Sequence, residues 1–114
     1  MQNDSAMISD RQSFAQKLTA AIVQELHPEK VILFGSVAKG EERESSDIDL
    51  FIVQETKEPY PQRLKPIFRL AQSLGYPYSL EPIIYTPAEF QRAMKDGSAL
   101  VAEILHNGKT LYEH

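Results

Sequence analysis

The sequence predicts an α+β (α/β) fold: a small mixed sheet with helices packed on one face. Three observations lead there. Apolar residues recur at helical spacing in four separate stretches. Short apolar runs, too brief to be helices, lie between them. The resulting order (helix, strand, turn, strand, helix, strand, two helices, a last short strand) suits one layer of strands covered by helices. The 114 residues suffice for one domain. A chain of this size buries roughly two-thirds of its unfolded surface, so a single modest core is feasible.

The elements follow in order. Residues 1–8 are polar and read as a flexible tail; residues 9–114 read as the single domain. Ser9 and Gln12 form a capping box at the start of a helix over 10–26, whose buried stripe is Phe14, Leu18, Ile22 and Leu26. His27-Pro28 ends it. Residues 31–34 form a short buried strand, 35–46 a connection with room for one helical turn after Ser36, and 47–53 a second strand. The segment 54–62 is a charged, proline-containing loop. Leu64, Ile67, Phe68, Ala71 and Leu74 have helical spacing, with Gly75 as the stop. Pro66 predicts that this helix either starts close to it or bends there. Residues 78–85 read as a third strand, and Pro82 within it predicts a sheet edge or a bulge. Thr86-Pro87-Ala88-Glu89 is a strong helix start, with the helix running to about residue 95. A further helix spans 98–106, and 109–113 form a last short strand.

Composition narrows the function. Hydrophobic residues are 42% and charged residues 25% of the chain, the balance of an ordinary globular protein. The longest apolar runs fall well short of the roughly 18–20 residues that cross a bilayer, and no secretory signal is visible, so no membrane role and a cytoplasmic location are expected. With zero cysteines there is neither a disulfide nor a thiolate metal site. The net charge of −4 argues against a grip on long nucleic acid, which calls for a basic face. A single nucleotide triphosphate needs no such face, because Mg²⁺ and backbone N–H groups can hold its phosphates.

The chemistry is concentrated in residues 31–53, VILFGSVAKGEERESSDIDLFIV. Gly35 lets the backbone turn sharply and approach a ligand. Ser36 presents a hydroxyl, and the free N–H groups of the turn after it face an anion. A Gly-Ser pair by itself is commonly a plain strand-to-turn junction. What changes the reading is the pair Asp47 and Asp49, separated from Ser36 by ten residues. On a strand, residues i and i+2 share a face with Cα atoms roughly 6.6 Å apart. Two carboxylates so placed can converge on a metal pair about 3.5–4 Å apart. Mg²⁺ favours such sites, with water and substrate phosphates completing its shell. Ile48, Leu50 and Ile52 then face the core, while Phe51 and Val53 cover the carboxylate face deeper in.

Gly35-Ser36, ten intervening residues and Asp47-x-Asp49 resemble the signature of the DNA polymerase β-type nucleotidyltransferase superfamily. The nearest match is its minimal nucleotidyltransferase (MNT) branch, which includes the antitoxins of HEPN–MNT toxin–antitoxin pairs. The resemblance extends from the first strand to the closing NGKTLYE. It implies the nucleotidyltransferase fold and a third carboxylate from a later strand. In YSLEPIIYTPAEF, Glu81 stands five positions before Thr86 and takes that place. Aspartate is commoner there in the family, and many relatives have Arg after the serine where this chain has Val37. Lys39 and Arg43 are the remaining nearby cations and the candidates for further nucleotide contacts.

The resemblance therefore implies a catalytic and metal-binding set of Asp47, Asp49 and Glu81, with Gly35, Ser36, Lys39 and Arg43 for the nucleotide. It implies ATP as substrate, Mg²⁺ as cofactor with two ions at the site, and transfer of AMP to a hydroxyl. Larger superfamily members hold the acceptor with a further helical domain. For this chain the resemblance implies an acceptor supplied by a partner, the tyrosine hydroxyl of a HEPN-type toxin. Two alternatives stay open: a non-catalytic antitoxin that masks its toxin, and a small-molecule adenylyltransferase of the aminoglycoside type. Assembly as a homo-oligomer or a hetero-complex is compatible with each. His27, His106 and His114 have no metal spacing and read as surface residues. Tyr76, Tyr78 and Tyr85 can either stack on a base or pack at the core rim, and Ser45 and Ser46 shape the approach to the second strand.

Overall fold

A computed structural model describes residues 9–75 and 77–114. The tail expected over 1–8 and the base-stacking candidate Tyr76 lie outside the described residues. Among the described residues nine elements follow one another: α1 (Asp10–Leu26), β1 (Lys30–Phe34), α2 (Gly35–Lys39), β2 (Ile48–Val53), α3 (Tyr60–Ser73), β3 (Leu80–Tyr85), α4 (Pro87–Lys95), α5 (Ala99–Asn107) and β4 (Lys109–Glu113). The strands make one mixed sheet in the order β3-β2-β1-β4. β1 is antiparallel to both β2 and β4, whereas β2 and β3 run parallel through the α3 crossover.

Alternation along the strands divides the core in two. Val31, Leu33, Ile48, Leu50, Ile52 and Ile84 face α1 and α3, where Phe14, Leu18, Ile22, Ile67 and Ala71 complete the larger cluster. The expected single helical layer describes α1 and α3. The other face is covered too: Ile32, Phe51 and Val53 pack with Ile104 of α5 and Phe90 of α4. Phe51 is wholly buried there, with ring centroids 5.2 Å from Tyr85 and 5.5 Å from Phe90. Burying such a side chain stabilises the fold by roughly 1.5–3 kcal/mol. The lower half of the carboxylate face is thereby dry, and only its upper end stays open.

The capping boxes form as expected. Ser9 Oγ accepts the Gln12 N–H at 3.0 Å, and Thr86 Oγ1 accepts that of Glu89 at 3.1 Å. Among the boundaries that differ, three concern the elements around the site. β2 begins at Ile48, so Asp47 stands just before the ladder rather than in it. β3 begins at Leu80, two residues later than expected. α3 starts at Tyr60 and carries Pro66 inside it, so a start close to Pro66 does not hold. Pro61 sits in the first turn, where no N–H is needed. Arg63 fastens that turn to the Glu58 carbonyl at 2.9 Å, the Ile84 carbonyl at 3.2 Å and Glu89 at 2.7 Å, which offsets the bond that Pro66 cannot donate.

Pro82 does lie on an edge strand. Ile48 N–H donates to Ser79 O and Gln54 N–H to Tyr85 O, so the odd-numbered residues of β3 direct their backbone groups toward β2. The even-numbered N–H groups point outward, and Pro82 therefore removes no ladder bond. The outward N–H of Ile84 donates to the Tyr60 hydroxyl at 3.1 Å.

Candidate active site

The antiparallel register sets Phe34 opposite Asp49, so the chain leaves β1 and enters α2 directly over the start of β2. Gly35 makes that turn at φ 77°. A Cβ atom at Gly35 would collide with the Asp49 carboxylate, which passes over the bare glycine. Here glycine is needed twice, for its left-handed backbone and for the space. Ser36 follows, its hydroxyl donating to Ser46 Oγ at 3.0 Å. Ser46 Oγ also accepts the Arg43 N–H at 2.7 Å. Gly40, at φ 73°, ends α2 with its N–H on the Ser36 and Val37 carbonyls.

The parallel pairing of β2 and β3 does the rest. Its register sets Glu81 beside Asp49, on the face shared with Phe51, Ile83 and Tyr85. Asp47 and Asp49 are half-buried and Glu81 is exposed. Burial first, then the charges of Glu81 and Asp47, push the Asp49 carboxyl up from 3.8 to about 6. Like charges gathered at a half-buried site disfavour ionisation unless a cation joins them. Their oxygens are the hard donors that Mg²⁺ takes. Among the described residues, no three Asp, Glu, His or Cys side chains are already gathered closely enough to hold a metal ion. Mg²⁺ needs only one or two carboxylates when phosphates and water complete the shell, so the donor set suits it.

The fold thus brings Gly35, Ser36, Asp47, Asp49 and Glu81 to one end of the sheet. Lys39 Nζ lies 3.6 Å from Glu103 Oε2 on α5. Arg43 is exposed in the loop between α2 and β2. Tyr85 packs against Phe51 and Tyr78 against Phe14, the packing option for both rings. One residue that the sequence did not single out is Arg11. Its guanidinium reaches from α1 into the loop before Asp47, donating to Ser46 O at 3.2 Å and Glu44 O at 2.6 Å. The capping box of α1 drew attention to its neighbours, and contacts 33 and 35 residues away have no local signal.

The family described as Polymerase beta, Nucleotidyltransferase matches residues 16–114. The chain belongs to this family. Two crystal structures share the nucleotidyltransferase fold. A candidate nucleotidyltransferase from Sulfolobus solfataricus is 17% identical with a TM-score of 0.61, over 90% of this chain and 79% of that one. A toxin-antitoxin with AMP-PNP is 18% identical with a TM-score of 0.60, over 87% of this chain and 73% of that one. No curated protein matches the chain. Among the described residues, no helix of this nucleotidyltransferase domain is long and apolar enough to cross a membrane.

Proposed function

We propose that this protein is an Mg²⁺-dependent, cytoplasmic nucleotidyltransferase of the MNT branch. It moves AMP from ATP to a tyrosine hydroxyl of a HEPN-type toxin and so acts as the antitoxin. The observation that carries the reading is the parallel register that sets Glu81 beside Asp49, with Asp47 close enough to raise the same carboxyl. A fold neighbour that is a toxin-antitoxin with AMP-PNP supports the choice of partner and nucleotide. The openness of Glu81 supports a macromolecular acceptor, since a hydroxyl on another protein has to reach the site from solvent.

In this reading Asp47 and Asp49, with help from Glu81, would hold Mg²⁺, which when bound would supply neutralisation of phosphate charge. The Ser36 hydroxyl and the N–H groups that follow hold the β- and γ-phosphates. Arg43 reaches them from the exposed loop, and Lys39 does so by exchanging Glu103 for phosphate. The acceptor hydroxyl gives its proton to a carboxylate of the site, Glu81 being the accessible one. Its oxygen bonds to the α-phosphorus as the bond to the β-phosphate oxygen breaks, and pyrophosphate leaves. The rate comes from positioning and charge stabilisation.

The test uses α-labelled ATP, Mg²⁺ and a candidate HEPN-type toxin. Label should move to the toxin with the wild-type protein and not with Asp47→Ala/Asp49→Ala. Neutralisation of the toxin without label, by wild type and double variant alike, would mean masking by binding instead. Label on a small aminoglycoside-like acceptor and none on protein would mean the small-molecule activity.

A further inference from the structure

We infer that Arg11 is a positioning residue for the carboxylate site, tying together the two chain segments that deliver Asp47 and Glu81. The inference rests on the function proposed above for that site. Residue 11 lies outside the segment 16–114 that the family covers, so membership assigns it no role.

Arg11 is the hinge of a three-way contact. From α1 its Nε and one terminal nitrogen donate to the carbonyls of Ser46 and Glu44 at 3.2 and 2.6 Å. Its other terminal nitrogen is 3.3 Å from Glu42 Oε2. The guanidinium also lies 4.8 Å from the centroid of the Tyr78 ring, in the segment that leads into β3. One planar group therefore touches the loop that ends in Asp47 and the approach to the strand that carries Glu81. The contact reaches Ser36 as well. Arg11 holds the Ser46 carbonyl, and the Ser46 side chain holds both the Ser36 hydroxyl and the Arg43 N–H.

Two features favour placement over plain stability. The side chains of Arg11 and Glu42 are only 16% and 17% exposed, yet among the described residues the buried Glu42 Oε1 has no hydrogen-bond partner. A half-satisfied buried pair adds little net stability. And the contacts use the fork and the flat face of a guanidinium together, which an ammonium cannot reproduce.

The experiment compares wild type, Arg11→Lys and Arg11→Ala, with Mn²⁺ and α,β-methylene-ATP as the probe. Support from outside the ligand shell is commonly worth about 10–100-fold in metal affinity. Arg11→Ala should lose affinity in that range, and Arg11→Lys should resemble it although its charge is kept. Free guanidinium chloride should restore binding to Arg11→Ala, and sodium chloride should not. Equal affinity in wild type and Arg11→Lys, or no guanidinium rescue, overturns the inference. If wild type itself binds no Mn²⁺-nucleotide, the proposed function fails, and amide exchange without ligand still decides the role of Arg11. The Arg43 and Ser46 amides should exchange faster in Arg11→Lys while those of β4 do not change. Unchanged exchange at Arg43 and Ser46 overturns it.

Discussion

Gly35 and Asp49 meet so closely that the carboxylate of one occupies the place where a side chain on the other would begin. The turn at φ 77° and the antiparallel pairing of Phe34 with Asp49 both enforce the approach. Gly35→Ala should therefore do two kinds of damage. The left-handed backbone alone costs about 1–2 kcal/mol for a residue with a Cβ, and displacement of Asp49 should abolish binding of Mn²⁺-nucleotide. Urea unfolding and a metal titration on the same variant measure the two effects separately.

Asp49→Asn should stabilise the protein above neutral pH while removing nucleotidyl transfer. The folded carboxyl sits at about 6 and its ordinary value is 3.8, so between these values the folded state binds the extra proton. Stability from this group is full below about pH 4 and is lost as pH rises through 6. The asparagine variant escapes that loss. Its advantage should be about 1 kcal/mol at pH 8, after allowing for solvent at a half-exposed group, and should vanish near pH 4. Urea midpoints at the two pH values check it.

Mn²⁺ must displace the proton that Asp49 holds below about pH 6. A thermal shift on adding Mn²⁺ should be clear at pH 7.5 and should shrink steadily below pH 6. In Asp49→Asn the shift should be small at every pH. A wild-type shift that is flat between pH 5 and 7.5 would separate metal binding from this carboxylate.

At the other end of the sheet, Arg63 holds Glu89 by two hydrogen bonds at 2.7 and 3.1 Å. The bonds to Arg63, and that to the Thr86 N–H, draw the Glu89 carboxyl down from 4.5 to about 2. Here the sign is opposite: the stability is present above about pH 4.5 and disappears as pH falls toward 2. Glu89→Gln keeps the capping box and weakens the ion pair. Because Glu89 is half-exposed, its cost at pH 7 should be about 0.5–1 kcal/mol. The difference from wild type should close at pH 2 in a chemical-denaturation series.

Much of this was legible in the residues. The period of Phe14, Leu18 and Ile22, the Thr86-Pro87-Ala88-Glu89 cap and the alternation Ile48–Asp49–Leu50–Phe51 each carry local information, and each element formed where they stand. Gly35, Ser36, Asp47 and Asp49 announce themselves by spacing. What no local pattern holds is long-range register. Glu81 stands beside Asp49 through the parallel pairing of β2 and β3, and Lys39 meets Glu103 only once the topology brings α5 to α2. The second helical layer was missed because Ile104 reads as one more apolar helical residue until the topology brings α5 across Ile32 and Phe51. The start of α3 at Tyr60, inside the expected loop 54–62, was missed because the bonds that hold its first turn come from residues 58, 84 and 89.

The outer side of β3 has a consequence for how copies of this chain can associate. Pro82 offers no donor there, the Ile84 N–H is taken by Tyr60, and the Ile84 carbonyl is taken by Arg63. A foreign strand laid alongside would find part of its hydrogen-bonding template missing, one of the ways natural sheets avoid runaway polymerisation. The other margin of the sheet is formed by Lys109–Glu113, the strand farthest in the sheet from Glu81. A complex built by strand addition at that margin would leave the mouth of the site unobstructed.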